Sequence, residues 1–445
     1  MLNNFFKFDE NKTDLKTEII AGLTSFLARA YILGVNPLIL ADGGMSQSGV
    51  FFATAVASGI SCIIMGLIAR YPMAIAPGMG YNALFTYTII LGMGKSAETA
   101  LAAVFVSSVV FALVSISGLR ESIINAIPID LKLGIGASIG LFLAFIGLQR
   151  CGIIVGDAST LISMGSLLSP HSLLAFMGIL ITLVFYVKNV PASIFLALIV
   201  TSILGLIFVL FGFGVGDSLM PTIPKEIITT NIDTSLIFNF TRGFSGLFSN
   251  IFDLIIIVFS IVFITLFDSI GTIIPLGREC GLVDENNSMQ GVEKAFLSVS
   301  LAGIIGSIFG TSTLVAYLEN AVGIGLGGRT GLTAIIVGIF FFLSLFFSNL
   351  ILSLFTPSVT ASALVIVGIL MIVQLKDVNW NDKIIAASVF MTVLMMVLSF
   401  SISIGIAWGF ITYAISSLAA GKYEGLSRGI WILAFVFICY LLFGL

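Results

Sequence analysis

Charged residues are scarce in this 445-residue chain: lysine, arginine, aspartate and glutamate together make up only 9% of it. A soluble domain carries about 25% charged residues, which it needs to cover its surface, so the composition excludes a soluble enzyme. Hydrophobic residues reach 58% and the mean hydropathy is +1.18, which also excludes an intrinsically disordered chain. No charge interrupts the stretches 189–216, 330–375 and 384–421. Apolar runs of this length predict a polytopic helical membrane protein.

Histidine and cysteine are scarce as well. The single histidine, His171, follows Pro170 in a predicted loop, so a haem or multi-histidine metal site is excluded. The four cysteines are scattered without metal-ligand spacing and indicate neither a zinc site nor a disulfide framework; they are Cys62, Cys151, Cys280 and Cys439. An intramembrane enzyme is also disfavoured, because the chain has no HExxH motif and no credible Ser–His or Cys–His pairing.

Hydropathy and loop signals together predict fourteen membrane spans. Their expected ranges are 18–40, 48–69, 73–93, 97–118, 130–149, 171–187, 191–213, 251–275, 291–309, 311–327, 330–354, 358–375, 383–400 and 402–420. A further apolar stretch, 430–444, is short, and the sequence leaves open whether it crosses the membrane or lies on it.

The distribution of positive charge supports this layout. If the N-terminal tail, residues 1–17, is cytoplasmic, fourteen lysines and arginines fall in inside loops, four fall outside, and Arg29 remains within a span. Such a bias is what the positive-inside rule predicts. The longest outer segment, 214–250, separates seven spans from seven. Because seven is odd, the two halves are expected to have opposite orientations in the membrane.

Two matches at one offset are consistent with an inverted repeat. Pro37 and Pro275 are expected to end the first span of each half, and they lie 238 residues apart. The pairs Asn82-Ala83 and Asn320-Ala321 fall in the third span of each half with the same separation. Transporters built from inverted repeats bind their substrate near the midplane, between broken helices in corresponding positions.

The third span of each half is predicted to be broken. Residues 72–82 contain two prolines and two glycines before Asn82, which a continuous helix does not tolerate. Residues 310–316 are rich in threonine and β-branched side chains, which favours a short extended segment. Helices starting near Tyr81 and Tyr317 would offer free N–H donors to an anionic or carbonyl-bearing ligand. The alternative is a pair of kinks that serve packing alone.

Three ionisable residues lie well inside spans: Arg29, Asp268 and Glu319. Each costs about 2.5 kcal/mol or more at the bilayer centre unless it is solvated or paired. A carboxylate can accept hydrogen bonds from adjacent N–H donors of a planar heterocycle. We therefore expect Glu319 to bind substrate and Asp268, with Thr272 nearby, to be coupled to it. The alternative is a structural pair, for example Arg29 with Asp268, and a structural role is favoured for Arg29.

The motifs APGMGYNALF, LFDSIGT, GTSTLVAYLENAVG and GGRTGLTAI resemble those of the nucleobase–cation symporter family of uracil and xanthine permeases. The resemblance is greatest to its guanine/hypoxanthine/adenine permease branch, and it extends from about residue 5 to residue 425. It implies an all-α membrane fold of fourteen helices in two inverted repeats of seven. It also implies a substrate-binding core (18–120 and 251–355), a gate (121–213 and 356–421), an extracellular connector (214–250) and a C-terminal segment (422–445).

The same resemblance implies a function. The expected activity is proton-coupled import of purine nucleobases (hypoxanthine, guanine or adenine) across the cell membrane by alternating access. The expected partners are a purine base and membrane lipid, with no nucleic acid, and a homodimer is implied. No cofactor is expected apart from the coupling proton. The protein would span the membrane many times with a cytoplasmic N-terminus.

The candidate substrate-binding residues combine the motifs with the interior charges. They are Glu319, Asp268, Asn82, Tyr81, Gly80, Leu318, Asn320 and Thr272. Asp268 and Glu319 are also the candidates for proton coupling.

Four positions depart from the usual pattern of the branch: Arg29 where an apolar residue is common, Asn320 for serine, Val299 for aspartate and Ile404 for asparagine. These departures leave open which purine is preferred and how many protons accompany it. Other functions on the same fold are a uracil or xanthine transporter and an inorganic-anion transporter. A passive channel is a further alternative, which saturable, gradient-driven uptake would distinguish.

Overall fold

The computed structural model describes residues 2–117, 128–224, 226–229, 232–283, 289, 291–422 and 428–443. These residues are mostly helical. The first part of the chain forms α1 (Leu2–Phe6), α2 (Leu15–Arg29), α3 (Ile32–Asp42), α4 (Gln47–Ile64), β1 (Ile75–Pro77), α5 (Met79–Ala83), α6 (Ala97–Ile116), α7 (Ile129–Arg150), β2 (Ile154–Asp157), β3 (Leu161–Met164), α8 (Pro170–Val187) and α9 (Ser193–Leu210). A π-helical segment, Leu84–Gly92, continues α5, and another, Met65–Ala69, continues α4.

The second part begins after the connector. It forms α10 (Phe244–Leu247), α11 (Ile251–Glu279), α12 (Val292–Phe309), β4 (Leu314–Ala316), α13 (Asn320–Gly325), α14 (Gly331–Ser344), α15 (Ser348–Leu354), α16 (Pro357–Ile372), α17 (Lys383–Leu398), α18 (Ile402–Ala419) and α19 (Arg428–Phe443). Short 3₁₀ turns at Asn239–Gly243, Leu345–Phe347 and Val373–Asp377 join or extend these helices.

Within the described residues, eleven helical segments are long and apolar enough to cross a membrane. Their ends agree with the predicted spans to within four residues. Three further predicted spans are not among the eleven: 73–93 and 311–327 contain strands, and 383–400 corresponds to the shorter helix α17. Residues 423–427 and 444–445 of the C-terminal segment, and the predicted core–gate boundary at 120–121, lie outside the described residues.

The prediction that two prolines end the first span of each half is wrong. Pro37 lies inside α3 and Pro275 inside α11. The first span is interrupted earlier, between the end of α2 at Arg29 and the start of α3 at Ile32. Neighbouring helices can compensate the backbone hydrogen bond that a proline removes from a membrane helix, so a proline does not mark the end of such a helix.

Local sequence explains many of the helix starts. Asp14 begins α2 and accepts a hydrogen bond from the Thr17 amide at 2.8 Å. Ser96 begins α6 in the same way by accepting from the Thr99 amide at 3.2 Å. Such caps satisfy donors that have no partner within the helix. Pro357 occupies the first position of α16, where a missing N–H costs nothing.

A buried carboxylate that the sequence did not single out joins α14 to α2. Glu18 accepts hydrogen bonds from the backbone N–H groups of Arg329 (2.9 Å), Thr330 (3.1 Å) and Thr333 (3.0 Å), and its side chain has no exposed surface. An anion at a helix N-terminus satisfies the first amides and favours the helix dipole. Glu18 therefore fixes the start of α14 against the helix that carries Arg29.

Candidate functional site

The two broken spans meet as a buried pair of antiparallel strands. β1 pairs with β4 in a register that places Ala76 opposite Val315, and both strands are completely buried. The Gly78 amide extends the pairing by donating to the Thr313 carbonyl at 3.0 Å. Two strands are marginal in water by themselves, but here β1 packs on α4 and β4 packs on α11 and α12. The predicted breaks are therefore one structural unit, shared by distant parts of the chain.

Asn320 holds this unit together. Its side-chain oxygen accepts hydrogen bonds from the Ala74 amide (2.9 Å) and from Nη2 of Arg29 (2.5 Å). Its side-chain nitrogen donates to the carbonyls of Ala74 (3.1 Å) and Tyr317 (2.8 Å). The amide can make four hydrogen bonds and makes all four, and the residue has no exposed surface. Asn320 thus ties the start of α13 to the strand that precedes α5.

The junction between α2 and α3 also contacts the segment between β4 and α13. The Arg29 guanidinium carbon lies 5.8 Å from the centre of the Tyr317 ring. The Tyr31 hydroxyl donates to Oε1 of Glu319 at 3.0 Å. Within the described part of the chain, Arg29 forms no ion pair with Asp268, and its hydrogen bond goes to Asn320 instead. The alternative in which Arg29 pairs with Asp268 is therefore wrong. Tyr31 is a neighbour of Glu319 that the sequence did not reveal.

Accessible surface remains beside the second break. Leu318 is 46% exposed although it follows a completely buried strand. Glu319, Gly80 and Asp268 are half-buried. Asp268 lies midway along α11, which packs against both β4 and α13. The two predicted carboxylates therefore lie on elements that pack together, and both are half-buried.

Tyr81 and Thr272 are neighbours of Asp268. The Tyr81 hydroxyl is near Thr265 and Asp268 but has no hydrogen-bond partner among the described side and main chains. The Thr272 hydroxyl donates back to the Asp268 carbonyl at 2.8 Å, which leaves it engaged with its own helix. Gly80 has a packing reason for its identity, because a Cβ there would lie 2.8 Å from Cγ2 of Ile139 in α7.

Asn82 is fully buried and makes its contacts inside the protein. It has no exposed surface, its side-chain oxygen accepts a hydrogen bond from the Ser312 hydroxyl, and its nitrogen contacts the Met79 sulfur at 4.0 Å. Asn82 therefore links α5 to the loop before β4. Its contact with a ligand stays a prediction from the sequence.

The backbone amides at the second helix start are also engaged. The N–H groups of Asn320, Ala321 and Val322 donate to carbonyls three residues earlier, at 3.2, 2.9 and 3.2 Å. The helix they begin has only six residues, so few aligned peptide dipoles support a charge at its end. The half-buried Glu319 side chain, rather than the free amides expected from sequence, is therefore the polar group left accessible at this break.

The far end of the first broken helix is joined to its neighbours by polar and aromatic contacts. The Tyr87 hydroxyl donates to Oδ2 of Asp42 at 2.6 Å, and Arg150 at the end of α7 forms an ion pair with Asp42 at 3.2 Å. The rings of Phe142 and Phe400 lie 6.3 and 6.4 Å from Tyr87. These contacts link α3, α7 and the π-helical segment.

The sequence matches the profile of the xanthine/uracil permeases, described as "Permease family", over residues 16–408. The chain belongs to this permease family. The permease is 42% identical to the guanine/hypoxanthine permease PbuG of Bacillus subtilis, over 99% of this chain and 100% of PbuG. It is 36% identical to the adenine permease AdeP of Escherichia coli, over 100% of this chain and 96% of AdeP. It is a multi-pass membrane transporter and not an enzyme.

Solved structures with the same fold are much more distant in sequence. The transmembrane domain of the cyanobacterial bicarbonate transporter BicA superimposes with a TM-score of 0.63 at 15% identity, covering 88% of the permease and 97% of that domain. The structure of SLC26A9 gives a TM-score of 0.64 at 12% identity, covering 94% of the permease and 68% of that chain. At such identities the likeness shows the fold alone.

Proposed function

We propose that the permease imports purine nucleobases together with protons, and that the base binds beside β4 and α13. Relatives named guanine/hypoxanthine and adenine permeases, at 36–42% identity over nearly the whole chain, support the substrate class. The observation that carries the site is the half-buried carboxylate of Glu319, which stands next to the buried strand pair in a largely apolar bundle.

Glu319 is suited to recognise a planar heterocycle with N–H donors. Tyr31 donates to Oε1, which fixes the carboxylate and leaves Oε2 available to the ligand. A carboxylate accepts hydrogen bonds from ring and exocyclic N–H groups, and such charge-assisted bonds are strong where water is largely excluded. In this proposal Leu318 supplies an apolar contact, and Tyr81 lies close enough to Asp268 to line the opposite wall.

Asp268 is the proposed proton site. It is half-buried on α11, which packs against α13 next to Glu319. A proton bound there reduces the net negative charge of the loaded site. This lowers the cost of moving the site, because a charge is expensive to move through hydrocarbon. The proton is taken up on one side of the membrane and released on the other, and no covalent bond of the substrate is broken. No cofactor besides this proton is proposed.

The proposed membrane layout has fourteen spans in two inverted repeats, with both broken spans and α17 added to the eleven long helices. The core (18–120 and 251–355) would carry the site and move against the gate (121–213 and 356–421). With a cytoplasmic N-terminus and the connector 214–250 outside, the contact of Arg150 with Asp42 closes the outer end. Alternating access in a cell membrane, with the chain as a homodimer, completes this proposal.

Two rival substrates use the same fold. A bicarbonate transporter has the same fold, but the negative charge of Glu319 opposes binding of an inorganic anion. Uracil or xanthine would suit the carboxylate as well as a purine does, and the identity to purine permeases favours the purine.

Uptake of labelled hypoxanthine into proteoliposomes, competed by unlabelled compounds, tests the proposal. The competitors are guanine, adenine, xanthine, uracil and sulfate, with and without an inward proton gradient. We expect saturable uptake that the gradient drives and that guanine or adenine suppresses. Uptake of sulfate in place of hypoxanthine, or competition by uracil alone, would overturn the substrate assignment. Non-saturable flux would indicate a channel.

A further inference from the structure

Arg29 is a fully buried arginine with unfilled hydrogen-bonding capacity. It lies at the last residue of α2 and has no exposed surface. Its Nη2 donates to Asn320 at 2.5 Å, whereas Nε and Nη1 have no hydrogen-bond partner among the described residues. An arginine cannot shed its proton in a protein, and a buried charge without good partners opposes stability. Packing therefore does not account for Arg29, because an apolar side chain would fill the space without this penalty.

The ionisable groups around Arg29 identify the charge it offsets. Glu319, Tyr31, Tyr317 and Cys62 are the groups that experience its charge. Glu319 is the carboxylate among them, and Asn320, which holds the guanidinium, is its neighbour in sequence.

The remaining elements packed against α2 contribute little charge. The helices α9 and α14 contain no ionisable side chain, and α13 contains none either. On α2 itself, Lys16 and Glu18 lie at the opposite end, and Glu18 is occupied with the start of α14. On α11, Asp268 lies beside Tyr81. The interior of the site thus contains two carboxylates and one permanent cation.

We propose that Arg29 is a built-in counter-charge that sets the number of protons coupled to each substrate molecule at one. This inference rests on the proposed function. With Glu319 and Asp268 both ionised, the site carries two negative charges, and Arg29 reduces the net charge to minus one. A single proton then neutralises the loaded site before it moves. Without Arg29, two protons are required for the same neutral state. Asn320 holds the guanidinium at the second break, which moves with the core in the proposed transport cycle.

The test is the pH dependence of the apparent affinity for labelled hypoxanthine in proteoliposomes. Above the pH at which the coupled proton dissociates, the logarithm of 1/KM falls with pH by one for each proton bound with the substrate. We expect a slope of about one for the wild-type permease and for Arg29→Lys, which keeps the charge. We expect a slope of about two for Arg29→Met and Arg29→Gln. Under a pH gradient of one unit, each additional proton raises the accumulation ratio about tenfold.

Ser25→Ala is the matched control, because Ser25 lies one turn earlier on the same buried face of α2 and carries no charge. Its slope is expected to equal that of the wild type. A wild-type slope of two, or a slope of one in Arg29→Met or Arg29→Gln, overturns the inference. If those variants do not fold, a slope of two in the wild type or in Arg29→Lys still overturns the inference. Absence of any hypoxanthine uptake by the wild type refutes the proposed function instead, so the two failures are distinguishable.

Discussion

The two breaks that cross at β1 and β4 have similar backbones but different surroundings. The first break is buried from Ile75 to Met79, and its one polar amide, Asn82, bonds to Ser312 inside the protein. It then continues as a helix to Gly92. The second break exposes Leu318, leaves Glu319 half-buried and is followed by only six helical residues. The first break is a buried scaffold, whereas the second leaves a charged side chain partly exposed.

The difference shows that corresponding positions in two repeats need not share a role. Asn82 and Asn320 occupy matching places in their segments, and both are buried. Asn82 makes one short contact to Ser312, while Asn320 makes four hydrogen bonds to three residues, including Arg29. We therefore expect substitutions at the second break to affect transport and stability more strongly than matched substitutions at the first.

The largest effect is expected for Glu319→Ala. Loss of a charged hydrogen-bond partner in the site should lower hypoxanthine uptake by about 100-fold or more, measured as the initial rate per molecule displayed in the membrane. Glu279→Ala is the control, because Glu279 lies at the exposed end of α11 and should transport normally. Normal uptake by Glu319→Ala would show that the second break is not part of the substrate site.

Asp268→Asn should separate binding from coupling. The variant keeps the shape of the side chain but cannot exchange a proton, so proton-driven accumulation should fall by about tenfold per unit of pH gradient. Equilibrium binding of hypoxanthine should change much less. The two quantities are compared in the same proteoliposome preparation, and an unchanged dependence on the pH gradient would contradict the role of Asp268.

Asn320→Ala should be mainly a stability variant. It leaves the Ala74 amide and carbonyl and the Arg29 guanidinium without their partner in a buried region, where each unsatisfied group costs about 1–3 kcal/mol. Thermal unfolding of the detergent-solubilised permease should show a clearly lower midpoint than that of the wild type. A midpoint equal to the wild-type value would mean that the four hydrogen bonds are dispensable.

The smallest effect is expected for Asn82→Ala. It removes the hydrogen bond to Ser312, which is worth about 1 kcal/mol, and should reduce hypoxanthine uptake by less than about threefold. Ser312→Ala removes the same bond from the other side and should match it in both stability and uptake. If Asn82→Ala alone is as damaging as Glu319→Ala, the asparagine contacts the base, and the contrast between the two breaks disappears.

Features with a local cause could be predicted from the sequence. The breaks follow from the prolines and glycines of residues 72–80 and the β-branched run before Tyr317. Asp268 and Glu319 stood out because charge is rare in the spans. Side-chain partners could not be predicted, because they come from far along the chain: Asn320 binds Ala74 and Arg29, 246 and 291 residues away. For the same reason the sequence did not identify Tyr31 as a neighbour of Glu319. Nor could it exclude a pair between Arg29 and Asp268.

Equilibrium binding of labelled hypoxanthine to the purified permease tests the central claim most directly, since it needs neither a gradient nor a complete transport cycle. Wild type, Glu319→Ala and Asn82→Ala are compared at the same protein concentration after each has been shown to be folded. The account predicts saturable binding by the wild type, affinity within about threefold of it for Asn82→Ala, and no measurable binding by Glu319→Ala. Binding by Glu319→Ala with wild-type affinity would contradict it.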